Sequence, residues 1–338
     1  MATVVDVAAR AGVSIAVVSR VLNGDQRLRV RDETRQRVLD AASALNYTPN
    51  HAARALAQSK AHILGLAVHD ASNPLYSPII AGAQSAAAER GYALMLADVE
   101  ALAHDDQLFR RLVSSGSVDG IILQRAATQS DELVERIASS RIPIVLMNET
   151  SERPEISSVA VDDEQGAYVA TMHLIAQGHR RIAHLQVDGP ASRDAARTRG
   201  WERALRDAQL PVEAALLVPG GHLSEQGYRA MRALLERRAS FTAVFAANPL
   251  VAIGALRACA DEGVSVPDDI SLVSLHDVSL ADFITPRLTT VRMPLFEMGR
   301  RAVDLALRHL ENATSQHELV LTEEPVLIVR ESTAAPTS

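Results

Sequence analysis

Thr3-Val4-Val5-Asp6-Val7-Ala8-Ala9-Arg10-Ala11-Gly12-Val13-Ser14, followed by Val18-Ser19-Arg20-Val21-Leu22-Asn23-Gly24, is the stretch that decides the fold. Thr3 and Asp6 have the spacing of a capping box, in which a hydroxyl and a carboxylate each satisfy a free backbone N–H at a helix start. Val7, Ala8 and Ala11 then fall on one helical face. Gly12 breaks this helix, and Ser14 is placed to cap a second. On the second helix Val18, Val21 and Leu22 face inward, while Ile15, Ala16, Ser19, Arg20 and Asn23 share the opposite face. Two short helices about a glycine turn form a helix-turn-helix pattern. A small, polar, basic face suits a major groove. Ser14, Ser19 and Asn23 can bond phosphates, and Arg20 can reach a phosphate or a guanine edge. Spacing alone fits an αα-hairpin with solvated polar residues equally well.

Working outward, a third helix is expected over residues 32–45, with Val38, Ala41, Ala42 and Leu45 at helical spacing. Tyr47-Thr48-Pro49-Asn50 reads as a turn, and Asn50 can cap the Ala-rich run that follows, through Ala53 and Leu56. One or two turns of helix are marginal alone, because nucleation is costly, so this linker should be helical only when something holds it. Residues 1–60 carry nine Lys and Arg against five Asp and Glu, +4, whereas the whole chain of 338 residues stands at −7, which leaves −11 for the rest. A basic head on an acidic body points to a polyanionic partner for the head; a solvated arginine face is the plainer reading of the charge alone.

From residue 61 onward the pattern changes. Apolar runs at 63–68, 92–97, 120–123, 142–147, 159–161, 182–185, 241–246 and 270–275 are mostly separated by helical stretches. That alternation implies βαβ units and parallel sheets covered on both faces. The length implies two similar subdomains rather than one sheet. Cys259 is the single cysteine, which excludes an internal disulfide and a cysteine-cluster zinc site. With no run of eighteen apolar residues and no basic-then-apolar N-terminus, a cytoplasmic location is expected.

The quoted residues, with Thr34-Arg35, Ala44-Leu45-Asn46-Tyr47, Pro49-Asn50, Ala53-Arg54 and Leu56, closely resemble the LacI/GalR family of bacterial repressors. The body continues the resemblance in order. Its matching stretches include Ser72-Asn73-Pro74, Gly178-His179-Arg180-Arg181-Ile182, Arg197-Thr198-Arg199-Gly200, Pro267-Asp268-Asp269-Ile270 and Arg330-Glu331-Ser332. The resemblance implies an all-α helix-turn-helix headpiece plus an α/β periplasmic-binding-protein-like sensor with two parallel-sheet subdomains. It implies a homodimer on a near-palindromic double-stranded DNA operator and an effector bound between the subdomains; no cofactor, metal or membrane partner is expected. The DNA-contacting residues it implies are Thr3, Ser14, Ile15, Ala16, Ser19, Arg20, Asn23, Thr34, Tyr47, Asn50, Ala53 and Leu56. Leu56 takes the place of an apolar wedge that kinks DNA from the minor groove; a packing contact against Ala52 or its partner helix is the plainer role. Val17 and Arg31 depart from the family, which commonly has Thr and Ser there. The expected organisation is a headpiece at 1–46, a linker at 47–60, one subdomain at 61–161 and 292–324, the other at 162–291 and 325–332, and a disordered tail at 333–338.

Effector ligands should lie on loops at the carboxyl ends of strands. Mapping by local motif gives Ser72, Asn73, Tyr76, Asn148, Arg197, His222, Asn248 and His276. Sugar-responsive members commonly have Asn-Asp where this chain has Asn248-Pro249, and Gly-aromatic-Asp where it has Ser274-Leu275-His276. A carboxylate accepts from sugar hydroxyls with two oxygens. Its replacement by His276, beside Arg197, leads to the expectation of an effector with an acidic group, bound more tightly near pH 6 than pH 8. An enzyme is the rival class, but the chain has no G-x-S-x-G, Walker loop, G-x-G-x-x-G after a strand, or H-E-x-x-H. His69, His179 and His184 lack metal-ligand spacing, and Asp162-Asp163 and Asp268-Asp269 read as helix or turn caps. A transport binding protein is the second rival; it needs a signal peptide and no headpiece.

Overall fold

The computed structural model describes residues 2–22, 28–47, 60–124, 132–140, 142–149, 153, 155–187, 192–237, 240–312, 315–320 and 324–337. The chain divides into two units, Met1–Ala61 and His62–Ser338. The first holds three helices, α1 (Val4–Ala11), α2 (Ile15–Leu22) and α3 (Asp32–Ala44). The capping box forms: Thr3 N donates to Asp6 Oδ2 at 2.8 Å and Asp6 N to Thr3 Oγ1 at 3.3 Å. Gly12 takes φ +65°, the left-handed conformation that ends α1 and turns the chain. Val7, Ala8, Ala11, Val18, Val21, Val38, Ala41 and Ala42 close into one small core. Arg31 stands at the N-cap of α3 with no side-chain cap bond, so the missing serine is not replaced there.

The second unit holds two six-stranded sheets. Strands β1 (Ile63–Val68), β2 (Ala93–Asp98), β3 (Gly120–Leu123), β4 (Ile144–Met147), β5 (Ser157–Val161) and β11 (His317–Val320) form one, in the order β11-β5-β4-β3-β1-β2. Strands β6 (Ile182–Gln186), β7 (Leu217–Pro219), β8 (Ala243–Ala246), β9 (Ser271–Leu275), β10 (Thr289–Arg292) and β12 (Val326–Ile328) form the other, in the order β12-β10-β9-β8-β6-β7. The orders are the same: β6–β10 repeat the winding of β1–β5. Only the closing strands differ, since β11 runs parallel to β5 while β12 runs antiparallel to β10. The chain therefore passes between the halves after β5, after β10 and after β11. Central strands such as β3, β4, β8 and β9 are buried along their length, as sheets covered on both faces require.

The helices that matter for the site are α4 (Tyr76–Glu89), α5 (Glu132–Ser139), α6 (Asp163–Ala176), α7 (Ser192–Asp207), α8 (Ser224–Glu236), α9 (Pro249–Asp261) and α10 (Leu295–Asn312). Every apolar run of the sequence carries a strand. The strands without a sequence signal are β7, β10, β11 and β12, short pieces of three or four residues at or beside sheet edges. Among the described residues, no helix is long and apolar enough to cross a membrane.

The tail departs from expectation. Instead of disorder from residue 333, Ser332 and Thr333 are buried and the chain is seated to Thr337. Ser332 Oγ donates to Leu272 O at 2.6 Å, while Leu272 N donates to Ser332 O at 2.7 Å. His173 Nε2 lies 2.9 Å from Thr333 Oγ1, and His179 Nε2 donates to Ala334 O at 2.9 Å. The small and polar composition of the tail hides this, because its order comes from hydrogen bonds to β9 and α6 rather than from apolar burial.

Gly200 sets how closely α6 and α7 approach: a Cβ there would lie 2.2 Å from Glu164 O and 2.8 Å from Ala167 Cβ. Gly200→Ala is therefore expected to destabilise the body by about 1–3 kcal/mol, as overpacking does. Urea unfolding of the variant measures this through its midpoint.

Candidate nucleic-acid interface and effector cleft

On α2, Val18 and Val21 are buried, whereas Ile15, Ala16, Ser19 and Arg20 are exposed. Ile15 leaves 48% of its surface in solvent on that face. Ser14 Oγ accepts from Val17 N at 3.3 Å, so its hydroxyl caps α2. Thr3 is likewise a cap residue. Thr34 lies in the first turn of α3, half-buried, and Tyr47 packs against the headpiece core. The expectations for Asn23, Asn50, Ala53 and Leu56 lie outside the described residues.

In the body, the carboxyl ends of strands bring a polar cluster together. Asn148 follows β4 and His276 follows β9, the equivalent strand of the second sheet. Both have positive φ, 56° and 68°. Such angles are uncommon outside glycine and aim these side chains away from the strand direction. Arg197, on α7, is buried. It donates Nε–H to Asp163 Oδ1 at 2.9 Å and Nη2–H to His276 Nε2 at 3.1 Å. A guanidinium only donates, so His276 Nε2 accepts and the imidazole proton sits on Nδ1. That Nδ1–H is buried and has no partner among the described residues. Arg193, one turn earlier on α7, and Asn148 line a cavity of about 210 Å³ with Glu149, Asp162, Asp163 and Arg199. The volume suits a single-ring molecule rather than a drug-sized one.

Electrostatics fixes the protonation states. Burial opposes the Arg197 charge, but Asp163 and Asp194 more than restore it and raise its pKa. Burial, reinforced by Arg197 and Arg193, holds His276 well below the ordinary histidine value. Burial, with Arg193, Arg197 and His69, brings His222 down to about 4. Both imidazoles are neutral across physiological pH. Burial raises the Tyr76 pKa, and Arg193, Arg197 and Gln124 are close enough to oppose that rise.

Arg197 and His276 are thus in contact, Tyr76 and His222 are near enough to feel the Arg197 charge, and Asn148 lines the cavity with Arg193 and Asp163. The bonds of Ser72 and Asn73 are local to their own turn. Ser72 donates its hydroxyl to Asp70 Oδ1 at 2.6 Å, and Asn73 Oδ1 accepts from Leu75 N at 3.0 Å, so both shape the turn after β1. Asn248 caps α9, accepting from Val251 N at 3.0 Å. The reading of Asp162-Asp163 as caps holds for Asp162, which accepts from Gln165 N at 2.8 Å, and fails for Asp163, the partner of Arg197. The expected acidic effector needs a free Arg197 and a protonatable His276. Neither condition is met: Arg197 spends Nε on Asp163 and an Nη2–H on His276, and that histidine is held neutral. Arg193, Asp194 and Gln124 are site residues that the sequence reading misses, and Asp163 is one that it takes for a cap. Their spacing of four and three residues from Arg197, which puts them on its helix face, is a signal that could have found Arg193 and Asp194.

A model of the bacterial regulatory proteins of the lacI family matches residues 3–50, and a periplasmic binding protein-like domain matches residues 171–333. The HTH-type transcriptional regulator DegA of Bacillus subtilis (strain 168) is 32% identical over 98% of this chain and 98% of its own length. The HTH-type transcriptional regulator GalR of Salmonella typhimurium (strain LT2) is 35% identical over 100% of this chain and 97% of its own. The chain belongs to the LacI family. Among solved structures of the family, the lac repressor dimer bound to operator and the anti-inducer ONPF superposes with a TM-score of 0.83 at 27% identity, covering 99% of both chains. The transcriptional regulator CelR in complex with cellobiose gives 0.74 at 31% identity, covering 98% of this chain and 100% of that one. Regulators of this family bind operator DNA as dimers and respond to small-molecule effectors.

Two outcomes follow from the cluster. Arg197→Ala should destabilise the body by about 3–5 kcal/mol, because Asp163 is left charged and unpaired in the interior; denaturant unfolding of the variant checks it. Effector affinity should be level from pH 6 to pH 8, since His276 and His222 carry no proton to lose in that window. Calorimetric titrations at both ends of the range test this, and a tenfold difference would mean that another group titrates.

Proposed function

We propose that this regulator is a repressor that binds a near-palindromic operator as a homodimer. A small polar effector, held between the two halves of the body, sets its affinity for that operator. What carries the reading is the exposed face of α2, where Ile15, Ala16, Ser19 and Arg20 stand on a helix whose other side is locked into a core. A short helix so presented fits a major groove. Arg20 and Ser19 anchor phosphates or a base edge, and Ile15 and Ala16 read base edges through apolar contact. Leu56 supplies the minor-groove wedge. In the body, Arg197, His276, Asn148, Tyr76 and His222 surround the effector. Ser72, Asn73 and Asn248 act at its margin, shaping the loops.

Operator affinity should fall steeply with salt, because each headpiece neutralises several phosphates and releases their counterions. Exchanging Ile15 and Ala16 for other side chains should change the preferred sequence, while Arg20→Ala should weaken all sequences or relax one base position. Fluorescence anisotropy on selected genomic fragments measures both. A chain lacking the headpiece that still binds the same fragment refutes the proposal.

A further inference from the structure

We propose that Asp194, together with Arg193, is the specificity-determining pair of the effector site. The pair selects a ligand that presents adjacent O–H or N–H donors, such as vicinal hydroxyls or an ammonium group, and rejects carboxylates and phosphates. The proposal rests on reading the cleft as the effector site.

Asp194 lies in the first turn of α7, with its side chain fully buried. Neither of its carboxylate oxygens has a hydrogen-bond partner among the described residues. Its nearest cations do not bond it: Arg193 Nε is 3.8 Å and Arg197 Nη1 3.9 Å from Oδ1. Arg193 is itself nine-tenths buried and lines the cavity with Nη1 unpartnered. A buried carboxylate and a buried guanidinium normally close on each other through short, charge-assisted bonds. Here they stand side by side with the bonds unmade. Two bare acceptor oxygens and one bare donor remain, together with the His276 Nδ1–H and the Asn148 Oδ1.

Arg197 is poorly placed as an anion clamp: its Nε is bonded to Asp163 and its Nη2 to His276, and its Nη1 already stands 3.9 Å from the Asp194 carboxylate. An acid entering beside Arg193 would meet Glu149, which lines the cavity, and would come close to the buried Asp194 next to Arg193, on which the Glu149 charge also acts. A carboxylate or phosphate has no N–H or O–H to give at neutral pH apart from a residual phosphate proton, so it would leave the Asp194 oxygens bare. A diol or an ammonium group satisfies both oxygens, and a hydroxyl oxygen can accept from Arg193.

Unpartnered burial also has a consequence that needs no ligand. Burial pushes the Asp194 pKa up, against the pull of Arg197 and Arg193. A carboxylate with a raised folded-state pKa lowers stability at neutral pH, and the loss is relieved as pH falls through that pKa. Asp194→Asn should therefore raise the melting temperature of the ligand-free protein at pH 7, with the gain fading on acidification. A structural carboxylate would give the opposite sign.

The test uses the full-length protein and a panel of neutral monosaccharides and polyols, the matching amino sugars and the matching uronic acids. Thermal shift and calorimetry are run on wild type, Asp194→Asn and Arg193→Gln. Hydroxyl or amino members should bind wild type at least tenfold more tightly than uronic acids, whose added carboxylate is repelled by Glu149 and Asp194, and Asp194→Asn should weaken the binding of hydroxyl or amino members at least tenfold. Stronger loss for amino than for hydroxyl members identifies the donor as an ammonium; equal loss identifies a diol. Binding that Asp194→Asn leaves unchanged, binding by uronic acids alone, binding by no panel member, or a lower ligand-free melting temperature for Asp194→Asn overturns the assignment. Operator affinity is read on the same samples. A ligand that binds through Asp194 without altering operator affinity refutes the effector reading and supports the Asp194 assignment. A ligand that alters operator affinity equally in wild type and Asp194→Asn refutes the assignment alone.

Discussion

The guanidinium of Arg197 is the charge around which the body is arranged. A buried cation must be paired, and its planar fork fixes where the partners stand. Its Nε holds Asp163 at the start of α6, and its Nη2 holds His276 at the end of β9. One side chain on α7 thus ties together a helix that begins where the chain passes between halves and a loop that faces the cleft. The close approach of α6 and α7 at Gly200 brings Arg197 within reach of Asp163. The neutrality of His276 follows from the same residue, since an imidazole that accepts from a guanidinium next to a second arginine cannot hold another proton.

The two sheets give the site its form. Because their strand orders repeat, β4 and β9 are equivalent strands, and each ends in a residue with positive φ, Asn148 and His276. Loops at carboxyl ends of parallel strands are where such a fold can hold a ligand without disturbing its ladders. The backbone strain at both positions is located where side chains must turn out of the strand direction. The sheets also explain the tail: residues after β12 have no further strand to form, and they anchor through Ser332 on β9 and through His173 and His179 near the end of α6.

Much of this is written locally in the sequence. The Thr3–Asp6 box, the Gly12 turn and the inward Val18 and Val21 depend on spacings of three or four residues, and helix geometry converts such spacings directly into faces. The apolar runs mark buried parallel strands for the same reason. What escapes is non-local. Asp163 follows a capping residue and is indistinguishable from one until Arg197 arrives from another helix, thirty-four residues on. Ser72 and Asn248 have the right residue types in the right loops, but each spends its side chain on the neighbouring backbone or on Asp70, a competition that short polar residues commonly win. The acidic-effector expectation treated Arg197 and His276 as independent charges, whereas contact makes one neutral and the other already paired.

The unsatisfied atoms of the cleft bear on how a ligand could act at a distance. An effector changes operator affinity only through a difference in its affinity for two states of the protein, and typical coupling is about 1–3 kcal/mol. Leaving one buried donor or acceptor without a partner costs about 1–3 kcal/mol, more when the group is charged. Asp194, Arg193 and His276 each leave at least one such atom bare. A ligand that satisfies two of them in one arrangement of the cleft, and cannot in another, therefore supplies a difference of the required size without any new apolar contact. The pairing of Arg197 with Asp163 lies within one half of the body and needs no ligand, so it is available in either arrangement. Control accordingly falls to the polar atoms that the fold leaves unpaired.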